Sequence, residues 1–365
     1  MTLNQQNKVI LTLDAGGTNF VFSAMQAGSE IVTPITLPSN GHHLEKSLET
    51  IVSGFKAVKD ELKSPVDAIS FAFPGPADYP NGIIGDLANL PAFRGGVPLG
   101  PMLEEIFQVP VLINNDGDLF AYGEAMHGFL PNVNQHMAES GQSKRYKNLL
   151  GVTLGTGFGG GLVHQGKLFI GDNAAGAEVW AVQHPERPDV FAEEGISIRA
   201  VQRLYREFSG NDTIYTPKDI SDIAHGTMPG NREAALQTFD FFGKVLGSTL
   251  ANALTIVDAA VVIGGGISAS YDLFMPSVLK QLNGKMRTLD GAQTDRMEFK
   301  VFNFDDPEER RKNLIQTPVM LKVPGTDKEI QYDPFKRVPI GKSVLGTSRA
   351  VSIGAYAIAL DYLTH

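Results

Sequence analysis

Ile113-Asn114-Asn115-Asp116-Gly117-Asp118 joins a short apolar run to a helical one. Val109, Val111, Leu112 and Ile113, interrupted by Pro110, read as a buried strand. Leu119-Phe120-Ala121-Tyr122-Gly123-Glu124-Ala125 reads as a helix. An acid thus stands where a strand ends and a helix begins. In open α/β sheets that edge is where ligands bind, and a carboxylate there can take a proton from a hydroxyl. The competing reading is that Asp116 or Asp118 only caps the helix, because Asp is a preferred N-cap. The remainder of the chain decides between them.

The 365 residues suffice for two domains and a large core. Apolar content of 42% and charged content of 19% are those of a soluble globular protein. A net charge of −9 without a long basic run argues against a nucleic-acid surface. It leaves room for a phosphate-bearing small molecule, which backbone N–H groups can hold. With no cysteine, disulfides, thiolate catalysis and Cys-based zinc sites are excluded. Met1 to Lys8 are polar and lack an apolar signal core, and no stretch approaches the ~20 apolar residues of a membrane span. The expectation is a cytoplasmic enzyme with no membrane partner.

Val9-Ile10-Leu11-Thr12-Leu13 is a strand pattern that ends in Asp14-Ala15-Gly16-Gly17-Thr18-Asn19, after which Phe20 to Met25 resumes it. This is a hairpin whose two glycines let a ligand approach the backbone closely; an ordinary hairpin turn is the alternative. No Walker A loop occurs. Leu44, Leu48, Ile51, Val52, Phe55, Val58 and Leu62 mark an amphipathic helix over 44–63. Asp67 to Phe73 is a strand ending in Pro74-Gly75-Pro76, followed by a long loop with Asn89-Leu90-Pro91. Pro131 to Lys147 is polar and reads as a surface connection near a domain boundary.

The pattern then restarts. Leu149 to Leu154 is a strand, and Gly155-Thr156-Gly157-Phe158-Gly159-Gly160-Gly161 is a second glycine-rich turn. Gly155, Gly157 and Gly160 match Gly-x-Gly-x-x-Gly, but a strand follows where a dinucleotide fingerprint needs a helix. Strand, glycine turn with Thr, strand occurs twice, as in an internal duplication. Residues 171–198 are irregular, 233–257 a long apolar helix, and 259–263 a buried strand ending in Gly264-Gly265-Gly266 before a helix near 270–283. Residues 296–346 are polar and turn-rich, with strands expected at 298–303 and 318–323; an apolar helix closes the chain at 347–362.

Asp14-Ala15-Gly16-Gly17-Thr18, Pro74-Gly75-Pro76, Asn89-Leu90-Pro91, Asn115-Asp116, Gly155-Thr156-Gly157-x-Gly159-Gly160 and Gly264-Gly265-Gly266, in that order, resemble the ROK sugar kinases of the sugar kinase, actin and Hsp70 ATPase superfamily. The resemblance implies an α/β fold of two ribonuclease-H-like domains with an active-site cleft between them. They would cover 1–127, joined by the C-terminal helix 347–365, and 128–346. It implies phosphoryl transfer from ATP to a sugar hydroxyl, with the 6-OH of glucose or a related hexose first. An N-acetylhexosamine kinase or fructokinase stands behind, and a non-catalytic sugar sensor is the reading of another class.

Carried over by position, Asp116 would be the general base and Asp14 would organise Mg²⁺, through water. Gly16, Gly17 and Thr18 would meet the β/γ-phosphates, with Gly155, Thr156 and Gly157 holding them from the other domain. Gly265 and Gly266 would border the adenosine. Asn89, Asn115, Asp116, Glu178, Glu193 and Gly75 would form the sugar site; Glu193 with Ser197 fits the family spacing, and Glu194 is the neighbouring alternative. Family members are often dimers, so a homodimer is an expectation, although no stretch marks an interface.

The chain departs from that pattern at Glu178-Val179-Trp180-Ala181, where many relatives have Glu-x-Gly-His and then a Cys-rich zinc loop. No structural zinc is expected, and the loop 178–195 must be held by packing, with Trp180 a candidate. His184 comes three residues late; a surface position is the expectation, a replacement sugar contact the alternative. Asp118 and Arg349 have no account at this level. A repressor would need a helix-turn-helix before the first strand, where eight residues stand.

Overall fold

The computed structural model describes residues 7–315 and 319–364. Met1–Gln6, Pro318 at the start of one expected strand, and His365 lie outside the described residues. The chain divides into two compact units: Met1–His127 with Lys167–Ala177 and Leu345–His365, and Gly128–Gly166 with Glu178–Val344.

In the first unit the strand Ile10–Ala15 pairs antiparallel with Asn19–Gln26 and parallel with Ala68–Ala72, which pairs parallel with Val111–Asn114. Parallel pairing brings the ends of three strands, and so Asp14 and Asp116, to one edge of the sheet. Side chains alternate between the faces. Leu11, Leu13, Phe22, Ile69 and Phe71 pack on one side against Ile51 and Phe55 of the helix Leu44–Glu61 and Leu103 of the helix Leu99–Phe107. On the other side Ile10, Met25 and Ala68 meet Ile353, Tyr356 and Leu360 of the last helix, Thr347–Tyr362. Both faces are covered, so the strands read as apolar runs.

The last helix lies close against the helix Asp116–His127 because glycines allow it. A Cβ on Gly354 would run into the Leu119 carbonyl, and one on Gly123 into that of Ala350. Glu124, fully buried, accepts the Leu345 N–H at 3.1 Å and fixes the segment entering the last helix.

The second unit repeats the pairing. Leu149–Leu154 pairs antiparallel with Phe158–His164 and parallel with Ala260–Gly264. The sheet continues in parallel through Arg337–Lys342 to Lys300–Asn303. The helix Arg232–Val257 packs on Tyr271–Leu282 through Gly243 and Gly247, each facing backbone of that helix.

Two expectations need correction. Residues 131–147 are not a bare surface connection, because Phe129–Glu139 is a helix burying Phe129, Leu130, Val133 and Met137. Its apolar spacing is hidden among polar residues, with Pro131 tolerated in the first turn. The segment 296–346 holds a strand of the sheet interior: Arg337–Lys342 is buried over its first five residues. Arg337, Pro339 and Gly341 disguise it as a turn. The segment also contains a helix, Pro307–Leu314, capped by Asp306, which accepts the Glu308 and Glu309 N–H groups at 2.8 and 3.0 Å.

Candidate active site

The first unit gathers its candidate residues at the carboxyl edge of its sheet. Asp14 stands near the end of the first strand and is exposed, and its carboxylate has no hydrogen-bond or ion-pair partner among the described residues. The turn after it is tight: Gly16 donates its N–H to the Asn19 carbonyl at 3.0 Å, and Ser39 ties down the Gly17 and Thr18 carbonyls through its Oγ and N–H. Gly17 lies against Asn89, whose carbonyl oxygen would stand 3.4 Å from an added Cβ. Asn89 is thereby brought beside the turn from a distant loop, while Gly75 is exposed just beyond its strand.

Asn115, not Asp116, satisfies the helix start most directly. Its Oδ1 accepts the Gly117 N–H at 2.7 Å, and its Nδ2 donates to the Tyr79 hydroxyl at 3.4 Å. Tyr79 in turn donates to the Phe73 carbonyl at 3.0 Å, so the amide is held by the loop that follows the neighbouring strand. Asp116 accepts the same Gly117 N–H at 2.9 Å and keeps access to solvent. The protein mass around it disfavours its charged form and raises its pKa; the Gly117 bond opposes the rise and the charge of Asp14 adds to it. A cavity of about 630 Å³ opens between the sheet and the last helix, with Asp14, Asp116, Thr12, Ser23, Thr347 and Arg349 in its wall.

In the second unit the Gly155–Phe158 turn is pinned to the start of the helix Ile198–Ser209. Gly155 donates to the Gly157 carbonyl at 3.0 Å and accepts the Ile198 N–H at 2.9 Å. Glu193 accepts the Phe158 N–H at 2.9 Å and Arg199 at 2.7 Å. Arg199 also bonds Glu194 at 2.6 Å and lies 3.5 Å from the Thr156 carbonyl. Arg199 escaped the sequence reading, although an Arg in the first turn after two acids is the available signal. Thr156 stays exposed. Gly265 has φ +85°, and a Cβ there would enter the Leu154 backbone; Gly266 has open space in front of it.

Glu178 is exposed and accepts a hydrogen bond from Trp180 Nε1. Trp180 packs edge-on against Phe191 with ring centroids 5.2 Å apart. His184 is not a surface residue. It is 3% exposed, sits under Gly195, and tilts over Phe241. Burial lowers its pKa, with Arg187 adding to the shift. The loop is thus closed by packing, and no cluster of three or more potential metal ligands occurs among the described residues.

The ROK family model matches residues 10–300. The chain belongs to the ROK family. A glucokinase structure from Parabacteroides distasonis is 49% identical, with TM-score 0.92 over 99% of this chain and 100% of that one. The N-acetyl-D-glucosamine kinase of Vibrio cholerae serotype O1 is 28% identical over 286 residues, 74% of this chain and 87% of that protein. A ROK glucokinase from Streptomyces griseus, in complex with glucose and AMPPNP, shares the fold at TM-score 0.58 and 18% identity over 97% of this chain and 99% of that one. The fold is therefore that of the actin-like ATPases. No helix among the described residues is long and apolar enough to cross a membrane.

Proposed function

We propose that this ROK chain is an ATP-dependent hexokinase that phosphorylates the 6-OH of glucose or a related hexose, with Asp116 as general base. The observation that carries the choice of sugar is the 49% identity to a glucokinase over 99% of the chain. The 28% identity to an N-acetylglucosamine kinase places an acetamido sugar second.

Phosphoryl transfer asks a protein for positioning and charge neutralisation. Asp116 takes the acceptor hydroxyl proton, and its raised pKa makes it a stronger base than an ordinary carboxylate. Asn115, oriented by Tyr79, and Asn89 bond sugar hydroxyls, with Gly75 beside them; Glu178 and Glu193 supply further acceptors. Asp14, an unpartnered exposed carboxylate beside the turn, has the chemistry that Mg²⁺ requires and would hold it through water. That ion would neutralise phosphate charge. Gly17 and Thr18, and Thr156 and Gly157, would offer backbone N–H groups to the phosphates, while Gly16 and Gly155 spend theirs closing the two turns. Gly266, with open space in front of it, and Gly265, packed on the Leu154 backbone behind it, would border the adenosine. A cytoplasmic, homodimeric enzyme completes the reading.

ADP release with Mg-ATP against glucose, N-acetylglucosamine, N-acetylmannosamine and fructose tests it. Glucose should give the highest kcat/KM. Turnover confined to an acetamido sugar would reassign the substrate, and none on any sugar with ATP bound would favour a sensor.

A further inference from the structure

We propose that the cavity beneath the last helix is a phosphate subsite, with Arg349 as the cationic ligand and Ser23 as a buried hydroxyl ligand. The source of the phosphate rests on the kinase reading; the site itself rests on the geometry.

The floor of the cavity is one face of a strand pair. Asp14 stands opposite Val21 at its mouth and Thr12 opposite Ser23 behind them, with Met25 deeper still. Gly28 to Glu30 close the far end, and residues of the last helix form the roof. A volume of about 630 Å³ is that of a small-molecule site.

Two side chains in this wall are left without protein partners among the described residues, one of them buried. Ser23 is 4% exposed, and its Oγ has no hydrogen bond among the described residues. A buried hydroxyl without a bond is a cost that a ligand removes. Arg349 lies in the first turn of a 16-residue helix, exposed, with no ion pair or hydrogen bond among the described residues. Its planar fork matches a phosphate, and the helix start adds favourable potential for an anion.

Charge sets the condition for binding. The wall carries three carboxylates, Asp14, Glu30 and Asp116, and one cation, Arg349, a sum of −3 + 1 = −2 when all are ionised. A divalent cation at Asp14 brings that sum to zero. Mg²⁺ held at Asp14 would therefore favour phosphate binding, and without it binding should be weaker.

Titration calorimetry on the full chain with inorganic phosphate, with and without Mg²⁺, tests the proposal. Wild type should bind at least tenfold more tightly with Mg²⁺. Arg349→Met should weaken binding at least tenfold, Arg349→Lys should recover part of it, and Ser23→Ala should weaken it less. Melting temperatures should hold for the Arg349 variants, because that side chain holds nothing else. Kinetics then separates two sources of the same chemistry. If the transferred group uses the subsite, Arg349→Met lowers kcat at unchanged sugar KM, and inorganic phosphate competes with ATP. If free phosphate alone uses it, Arg349→Met keeps kcat and loses only inhibition by phosphate. No binding by wild type, equal binding without Mg²⁺, or equal binding by Arg349→Met overturns the subsite. Arg349-dependent phosphate binding in a protein that phosphorylates no sugar would overturn the kinase reading and leave the subsite standing.

Discussion

Glu193 holds the backbone of Phe158: its Oε2 accepts the Phe158 N–H at 2.9 Å. An acid 35 residues along the chain thereby sets the exit of the Gly155–Gly157 turn, while Arg199 occupies its other oxygen. Glu193→Gln keeps an acceptor for Phe158 and loses only a half-exposed ion pair, which contributes under ~1 kcal/mol. Glu193→Ala also leaves the N–H unpaired, at a cost of about 1–3 kcal/mol. Thermal melts should rank wild type and Gln together, with Ala clearly below. Equal melting of Ala and wild type would dissociate Glu193 from the turn.

Asp116 is a stability cost at neutral pH. Its pKa is raised in the folded state, so folding binds its proton more tightly than the unfolded chain does. Stability is full below the ordinary carboxylate range and falls as pH rises through the raised pKa. Asp116→Asn should therefore melt higher than wild type at pH 7.5, with the gain vanishing near pH 4. A constant difference across that range would mean the gain comes from packing instead.

His184 acts in the opposite sense. Its folded pKa is lowered by burial, so the unfolded chain binds the proton first, near pH 6.5. The stability it contributes is present above that pH and lost as pH falls below it. Denaturant melts between pH 8 and 5 should show a decline that His184→Gln makes shallower. An unchanged slope would place the decline on another group.

The contact between the last helix and Asp116–His127 depends on two glycines. Gly354→Ala should cost about 1–3 kcal/mol, since the methyl has backbone in front of it and no flexible side chain to displace. Chemical denaturation measures this; a loss under ~0.5 kcal/mol would show that the helices can part freely.

Metal dependence should divide cleanly. EDTA should stop turnover without lowering the melting temperature, and Mg²⁺ should restore it. A zinc-selective chelator should change neither, because the chain has no cysteine and the loop 178–195 is closed by Val179, Trp180–Phe191 and His184. A melt shift with that chelator would reveal a metal site in the structure.

What was legible in the chain was what depends on neighbouring residues. Ile10–Ala15, Leu149–Leu154 and Ala260–Gly264 are continuous apolar runs ending in glycine turns, and their order alone exposes the repeated pairing. Arg337–Lys342 was hidden because its burial comes from two flanking parallel strands, while its own Arg, Pro and Gly signal a turn. His184 was misplaced for a similar reason: Phe241 and Gly195, which bury it, are 57 and 11 residues away. Arg199 and Arg349 carry no motif, and their interest comes from what stands opposite them in the fold.

Asp116→Asn with glucose and Mg-ATP tests the central claim most directly, with turnover followed by ADP release and glucose binding by calorimetry. Loss of the general base predicts a fall in kcat of at least ~10² with glucose affinity within a few-fold of wild type. Turnover near that of wild type would contradict Asp116 as the base.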